Sequence, residues 1–507
     1  MSLGEGWQML GFAELQRQLG PVWAMNRPGG APHVLVALPS FSLGETILAH
    51  YTSRIPALEH RYLLASLMLP RIETCEMVFV CSQAPVPEFV DYYISLAPRS
   101  RRHSARARLR VLTVDDPTPR SIAAKLLDQS DLLDRLRASF AGRPAFIEPW
   151  NVTGDEVEVA RRLGAPINGT APELWPLGYK SAGRRLFRAV GVPTPAGREG
   201  IRSVADVRAA IDAVLAERPA AEGVVVKHDN SGSGDGNLVV PLVDLAGRRL
   251  SGDAIRSRVA AMPAWYQADL ALGGVVEELV TGARAASPSV QIDISPYREV
   301  TVVATHEQVL GGETRQVYMG CRFPADPAYA AELAKYGEVI GRHLADRGVV
   351  GRLSVDFMAV ADDAGRWDLY ALEINLRKGG TTHPYAALRN LVPGSYDTGA
   401  GTWYAADGTP RCYVATDNLV DSCWLGLPPV DVIRAVAASG LQFDRRTGAG
   451  VVLHMLSCLA IDGRLGLTAI GRSREHAQSL YDATVAVIAE LAGQIIASLT
   501  EEPGVPG

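Results

Sequence analysis

Two runs of alternating apolar residues, 351–360 and 369–377, flank the polar turn Asp362-Asp-Ala-Gly-Arg366, and this pattern constrains the fold more than any other. Period-two alternation on both sides of a short turn predicts a β-hairpin. If Val360 pairs with Leu369, the same register sets Asp356 opposite Glu373, with Cβ atoms about 5 Å apart. Two carboxylates at that spacing repel. Asn375 lies two residues beyond Glu373 and shares its face of the strand. Three oxygen-bearing side chains at one spot need a cation, and such a set suits Mg²⁺ completed by phosphate oxygens and water. The plainer alternative is the solvated face of an antiparallel pair. Against it stand Val355, Phe357, Leu372, Ile374 and Leu376, which are apolar enough to bury one face of the hairpin.

Lysine usage is the second signal. Lys and Arg total 50, yet lysine occurs only at Lys125, Lys180, Lys227, Lys335 and Lys378. A compact ammonium suits a phosphate contact made as a point charge. Lys227 ends the apolar run Gly223-Val-Val-Val and precedes a loop with Ser231, Gly232, Ser233, Gly234 and Gly236. A strand entering such a loop offers backbone N–H groups to phosphates. The loop lacks the Gly-Lys-Ser/Thr ending of a Walker A motif, so the P-loop fold is not indicated. Lys180 opens a helical pattern in which Leu186, Phe187 and Val190 share a face, Gly191 is a C′ residue and Pro193 stops the helix. That position puts Lys180 at a helix N-terminus, where an anion is favoured.

In their order these pieces resemble the ATP-grasp superfamily of carboxylate–amine ligases. The likeness runs over roughly 165–390, through Pro166-Ile-Asn-Gly169, the Lys180 helix, the Lys227 strand and loop, Val275-Val-Glu-Glu-Leu-Val-Thr-Gly282, Val355-Asp356 and Leu372-Glu-Ile-Asn-Leu-Arg377. With the N-terminal Leu38-Pro-Ser-Phe-Ser-Leu-Gly-Glu45 and the C-terminal Gly463–Gly471 segment, it extends over nearly the whole chain to the group that includes the peptide ligase of pheganomycin biosynthesis. The resemblance implies ATP held between two α+β subdomains and Mg²⁺ on Asp356, Glu373 and Asn375. It implies phosphate contacts from Lys180, Lys227 and the loop Ser231, Gly232, Ser233 and Gly234. Glu277, Glu278, Leu279 and Val280 would be the hinge that reads adenine, largely through backbone groups. Arg377 would steady the transferred phosphate and an acyl-phosphate oxygen. Ligases of the D-alanine–D-alanine type carry Arg two residues before the metal Asp; this chain has Ser354 there, which leaves Arg352 as the oxyanion candidate. No acid follows the hinge at 282–288, so ribose recognition is unassigned.

The implied activity is ATP-dependent activation of a carboxylate, an unusual guanidino amino acid by the narrower likeness, and its joining to a peptide amine with release of ADP and phosphate. A carboxylate is a poor electrophile until phosphorylated, and the acyl phosphate must be kept from water, so loop 229–237 is expected to close as a lid. Two alternatives come from other classes: an ATP-grasp phosphotransferase acting on a small molecule, and a non-catalytic nucleotide-binding module.

The expected class is α/β with an α+β ATP-grasp core. Strand-like runs at 33–38, 77–81, 109–114 and 145–147 alternate with helical patterns, giving a parallel N-terminal pre-ATP-grasp unit over 1–172. Loops after such strands bind ligands, which draws notice to Ser40, Ser42 and Glu45, although Ser42 is equally suited to cap a helix. The core is expected at 173–390, with a lid subdomain at about 195–285. An α+β C-terminal unit follows at 391–507, with a hairpin of 450–461 and 464–470 and a final helix capped by Ser473. The formal charge of −5 argues against a nucleic-acid partner, and the basic run Arg99–Arg110 reads as a solvated loop. The apolar stretch near 451–461 is too short for a membrane span, and six cysteines without Cys-x-x-Cys spacing fit reduced cytoplasm. Sheets in such proteins often leave a surface for a homodimer.

Overall fold

A computed structural model describes residues 11–42, 48, 51–231, 236–311 and 317–500. Four strands, β1 (His33–Leu38), β2 (Cys75–Cys81), β3 (Leu109–Thr113) and β4 (Ala145–Pro149), form a parallel sheet in the order β3-β2-β1-β4. Every residue of β1 is buried, as a sheet covered on both faces requires. Alternate side chains serve different cores: Val34, Val36 and Leu38 pack with Val78 and Val80, while Leu35 and Ala37 pack with Met77 and Phe79. β1 and β4 are neighbours from which the chain departs to opposite sides, a switch point at which a crevice opens beyond the strand ends.

The second sheet is small and antiparallel, with β5 (Gly197–Glu199), β6 (Gly223–His228), β7 (Asn237–Pro241) and β8 (Gly274–Glu278) in the order β5-β8-β6-β7. Helix Val204–Glu217 covers it through Val207, Ala210, Ile211 and Val214. The third sheet has eleven strands among the described residues. Its central path begins with β14 (Trp367–Asn375), β13 (Gly351–Ala361), β10 (Pro288–Ile294), β11 (Val300–Gly311) and β12 (Val317–Phe323), and the short β9 (Arg284–Ala286) pairs with β13. It continues without a break into β17 (Pro410–Val420), β16 (Thr402–Ala405) and β15 (Gly394–Asp397), while β18 (Gly450–His454) and β19 (Arg464–Gly471) are added beside β17.

The boundary expected at 390 therefore has no counterpart in the hydrogen bonding, because Gly320–Phe323 pair directly with Tyr413–Thr416. The C-terminal strands also share a core with the N-terminal sheet: Tyr413, Val451 and Leu453 pack in one cluster with Leu35, Met77 and Phe79. Buried Arg61 is ion-paired with Asp417, which His454 also contacts at 2.7 Å, so charge links the same two regions. We propose that 391–507 extends the core sheet rather than forming a separate unit.

Three local expectations are corrected. The basic run is a helix, Arg99–Ala107, whose only buried residue is Ala105; Ala and Arg are strong helix formers, and Pro98 fixes its entry. The strand expected over 450–461 stops at His454, because Met455 takes a left-handed conformation (φ 53°) and 456–462 is helical. Gly463 then reverses the chain at φ 67°, where a Cβ would meet the Asp421 carbonyl oxygen at 2.2 Å. The final helix, Arg474–Thr500, is long and apolar enough to cross a membrane by length and composition, which the reading of 451–461 overlooked. Its residues Ala477, Thr484, Ile488 and Ala492 are buried, and it packs along β17 and β19. Ser473 caps it as expected, its Oγ accepting the His476 N–H at 3.1 Å.

Candidate active site

The hairpin forms and Asp356 faces Glu373, but by a route the sequence did not disclose. Near the turn Val360 pairs with Asp368 and Ala359 with Leu369, one residue out of the expected register. A bulge that absorbs Leu372 restores it, so Asp356 pairs with Glu373 and Ser354 with Asn375. Bulges re-aim side chains beside functional sites. Without this one, Glu373 would turn towards the core that holds Phe357 and Ala371.

Asp356 accepts from the Asn375 Nδ2 at 3.0 Å and from the Gln308 Nε2 at 2.8 Å. Withdrawal from water, with the Glu373 charge opposite, still pushes its carboxyl up to about 7. The donor set is oxygen-only: two carboxylates and the Asn375 carboxamide, with an excess of negative charge at their junction. These residues fit a hard divalent cation. Gln308, on β11, escaped the sequence reading; a glutamine in an alternating strand carries no signal of its own.

Lys180 is the first residue of helix Lys180–Ala189, and Gly191 follows its end at φ 75°. Its Nζ lies 3.6 Å from Glu373 and donates to the Ser231 carbonyl and hydroxyl at 2.9 and 3.0 Å. Burial lowers its pKa, and Glu373 opposes that shift. The expectation that this helix N-terminus is open to an anion needs correction: the Ser181 N–H donates to the Asp229 carboxylate at 2.8 Å. Lys227 meets Glu277 at 2.5 Å, and Arg184 meets the same carboxylate at 2.6 Å. Burial raises the Glu277 pKa, but the Lys227 and then the Arg184 charges outweigh it and hold the carboxyl below its ordinary value.

Of the hinge candidates, Glu277 therefore commits its side chain inside the small sheet. The Glu278 and Leu279 N–H groups donate to Ala196 and Gly223 carbonyls at 2.7 and 2.9 Å, which leaves Val280 with an N–H outside these bonds. Gly232, Ser233, Gly234 and Glu45 lie outside the described residues. Ser40 and Ser42 are used internally: Ser42 Oγ donates to Glu156 at 2.5 Å, and Ser40 Oγ accepts the Ala123 N–H at 3.1 Å.

Arg377 lies two residues past the end of β14 and makes one described hydrogen bond, to the Lys378 carbonyl at 3.2 Å. Its charge lowers the pKa of Asp356, which places it beside the acids. Arg352 is different. Its guanidinium grips both Asp293 oxygens at 2.5 and 2.8 Å, donates to Gln291 Oε1 at 2.7 Å and lies over the Tyr385 ring at 5.2 Å. A side chain so committed is not open to an oxyanion, which corrects that expectation. Arg352 and Arg377 nevertheless line one crevice with Lys378, Trp150, Asn168 and Thr170. That crevice lies at the switch point of the parallel sheet. Lys180, the Asp356–Glu373–Asn375 set and the Arg377 crevice thus lie close together around β13 and β14.

Comparison with known proteins agrees. The family described as IQCH-like, ATP-grasp matches residues 256–389, and the PGM1 C-terminal domain matches 431–484. The chain is 33% identical over 423 residues to the L-propargylglycine–L-glutamate ligase of Streptantibioticus cattleyicolor, covering 81% of this chain and 85% of that one. It is 21% identical to IQ motif-containing protein H of Danio rerio over 60% of this chain and 34% of that protein. The biotin carboxylase domain of the Hydrogenobacter thermophilus 2-oxoglutarate carboxylase, solved with MgADP, ADP and bicarbonate, superposes with a TM-score of 0.51 at 12% identity, over 90% of this chain and 89% of that one, a likeness of fold. Opposed acids on a bulged hairpin, a small sheet carrying a buried lysine, and a ligase relative matched over most of both chains lead to one conclusion: the chain belongs to the ATP-grasp carboxylate–amine ligases.

Proposed function

We propose that this enzyme uses ATP and Mg²⁺ to activate the carboxylate of a small acid as an acyl phosphate, which the amine of an amino acid or peptide then attacks. The observation that carries the reading is the Asp356–Glu373 pair, directly opposed and short of positive charge, with Lys180 Nζ at 3.6 Å. Bound at Asp356, Glu373 and Asn375, Mg²⁺ would supply Lewis-acid neutralisation of the phosphate oxygens. Lys180, which Ser231 partners in the structure, holds the phosphates as a point charge, while Lys227 stays on Glu277 and fastens the small sheet. Val280 offers its N–H to the adenine edge. Arg377 neutralises the moving phosphoryl group and the carboxylate oxygen that receives it, which is positioning and electrostatics rather than covalent chemistry. The attacking amine enters from the crevice side, and the intermediate must be kept from water. The setting is the cytoplasm, with a small carboxylic acid and an amine-bearing amino acid or peptide as partners.

The test is release of ADP and phosphate from the full-length chain with Mg²⁺. It should require acid and amine together, and hydroxylamine should divert the intermediate to a hydroxamate. A stable phosphorylated small molecule, formed without any amine, would replace this reading with a phosphotransferase.

A further inference from the structure

A cleft of about 720 Å³ opens between the start of helix Arg99–Ala107 and the segment 442–446, and none of its lining residues belongs to the site described above. Four arginines, Arg99, Arg102, Arg445 and Arg446, line it with one acid, Asp444, in a chain whose net charge is −5. Asp444 is taken by Arg446 at 3.5 Å, and among the described residues Arg99, Arg102 and Arg445 stand in no ion pair. Part of the set has a structural use. Arg102 donates to the Ala97 carbonyl at 3.0 Å and to the Ser95 carbonyl, closing the end of helix Pro87–Ser95. Arg445 spends one N–H on the Leu96 carbonyl at 3.3 Å. These bonds account for some donors but not for the crowding of like charge. Burial, and after it the Arg101 and Arg71 charges, draw the Arg445 pKa down. Arg99, Arg101 and Arg102 also occupy the first turn of a helix that has no acid there and no side-chain cap. The helix dipole favours an anion at that end and opposes cations.

We propose that this cleft is a second anion site, which binds an oligophosphate, a di- or triphosphate, with Arg99 and Arg445 as its principal contacts. A guanidinium fork matches two phosphate oxygens at once, and forks converging from two segments suit adjacent phosphate groups. The volume falls in the range of small-molecule sites, about 300–1,000 Å³. The arginines gather in a cleft rather than along the extended stripe that a nucleic-acid backbone would track. Buried Leu96 and Phe443 give the cleft an apolar floor. The bound anion ties the helix that precedes β3 to the loop that leads into β18, and so joins the N-terminal unit to the C-terminal strands.

The experiment is isothermal titration calorimetry of the full-length chain with tripolyphosphate, in Mg²⁺-free buffer at pH 8 and low salt. Lys180→Ala, which removes a phosphate contact of the nucleotide site, should leave this binding in place. Arg99→Glu should weaken it about 10- to 100-fold, the effect of losing one charge-assisted contact. Arg99→Ala combined with Arg445→Ala should weaken it by about 10²-fold or more. Arg256→Glu alters the net charge equally, at an exposed arginine of helix Gly252–Ala260, and should have little effect. Arg99 is exposed and in no described ion pair, so Arg99→Glu does not put the fold at risk. Absence of binding, binding that Arg99→Glu leaves unchanged, or an equal loss in Arg256→Glu overturns the proposal. Binding that vanishes in folded Lys180→Ala also overturns it, because the anion then sits in the nucleotide site. Citrate bound as tightly as tripolyphosphate overturns the phosphate assignment. GTP titrated into Lys180→Ala separates two sources of the same chemistry: tighter binding than tripolyphosphate assigns a nucleoside-borne phosphate chain, weaker binding the free anion, and both uphold the site.

Discussion

Two carboxylates withdrawn from water, Glu277 in the small sheet and Asp356 in the large one, are pushed in opposite directions. Glu277 meets Lys227 and Arg184 at salt-bridge distance and is held ionised, its pKa below the ordinary value. Asp356 meets Glu373 across the hairpin, and its pKa climbs to about 7. Burial acts alike on both; the neighbours decide. Where the chain supplies its own counter-charges, the buried acid is a structural fastener between β6, β8 and helix Lys180–Ala189. Where Lys180 and Arg377 do not offset burial and the facing Glu373, the Asp356 carboxyl stays raised, and that deficit marks a place for something from outside.

The comparison breaks first on catalysis. Glu373→Gln and Asn375→Ala should each lower ADP release by about 10²-fold or more while circular dichroism and melting stay close to wild type, because they remove site contacts rather than core packing. Normal turnover in either variant would remove the metal assignment. Glu277→Gln should behave in the opposite manner. It leaves Lys227 and Arg184 buried without their partner and should cost about 3–5 kcal/mol in urea unfolding. An unchanged unfolding midpoint would mean that the small-sheet network is not a fastener.

The third prediction concerns pH in Mg²⁺-free buffer. An acid raised from 3.8 to about 7 binds its proton more tightly in the folded state. Stability therefore falls as pH rises between those values, the reverse of the Glu277 contribution, which is present at neutral pH and lost as pH falls through its depressed value. Mg²⁺ added at pH 8 should restore the midpoint, because it binds the ionised pair. A midpoint that ignores Mg²⁺ at pH 8 would sever the pair from the metal. The smallest effect sharpens the same point. Asp356→Asn, inactive by the first argument, should stabilise the metal-free protein at pH 8 by up to about 1 kcal/mol, the size of one directly opposed like-charge pair. Urea unfolding of the two proteins side by side measures it.

Much of this was legible in the residues. The acids, the scarce lysines and the strand–turn punctuation are local patterns, and they led to the hairpin, the Lys180 helix and the parallel N-terminal strands. The Asp356–Glu373 pairing came out right although the turn register was one residue off, because the bulge at Leu372 returned the count. A bulge leaves no periodic trace, so that agreement owed something to chance. Arg352 was misjudged for a related reason: its partner Asp293 is 59 residues away, and spacing along one strand says nothing of who sits across from it. The basic run became a helix because arginine is a good helix former as well as a solvated charge.

What the amino-acid order determined by itself was which segments become strands and helices and which polar side chains share a face, since periodicity and turn chemistry act over a few residues. Only the tertiary structure decided which buried charges are neutralised, that the C-terminal strands extend the core sheet, and that Asn168, Arg352, Arg377 and Lys378 line one crevice. Those outcomes rest on contacts such as Lys378 to Pro149, 229 residues apart. Electrostatic fate is set by what is brought within a few ångströms in space, and no local pattern encodes that.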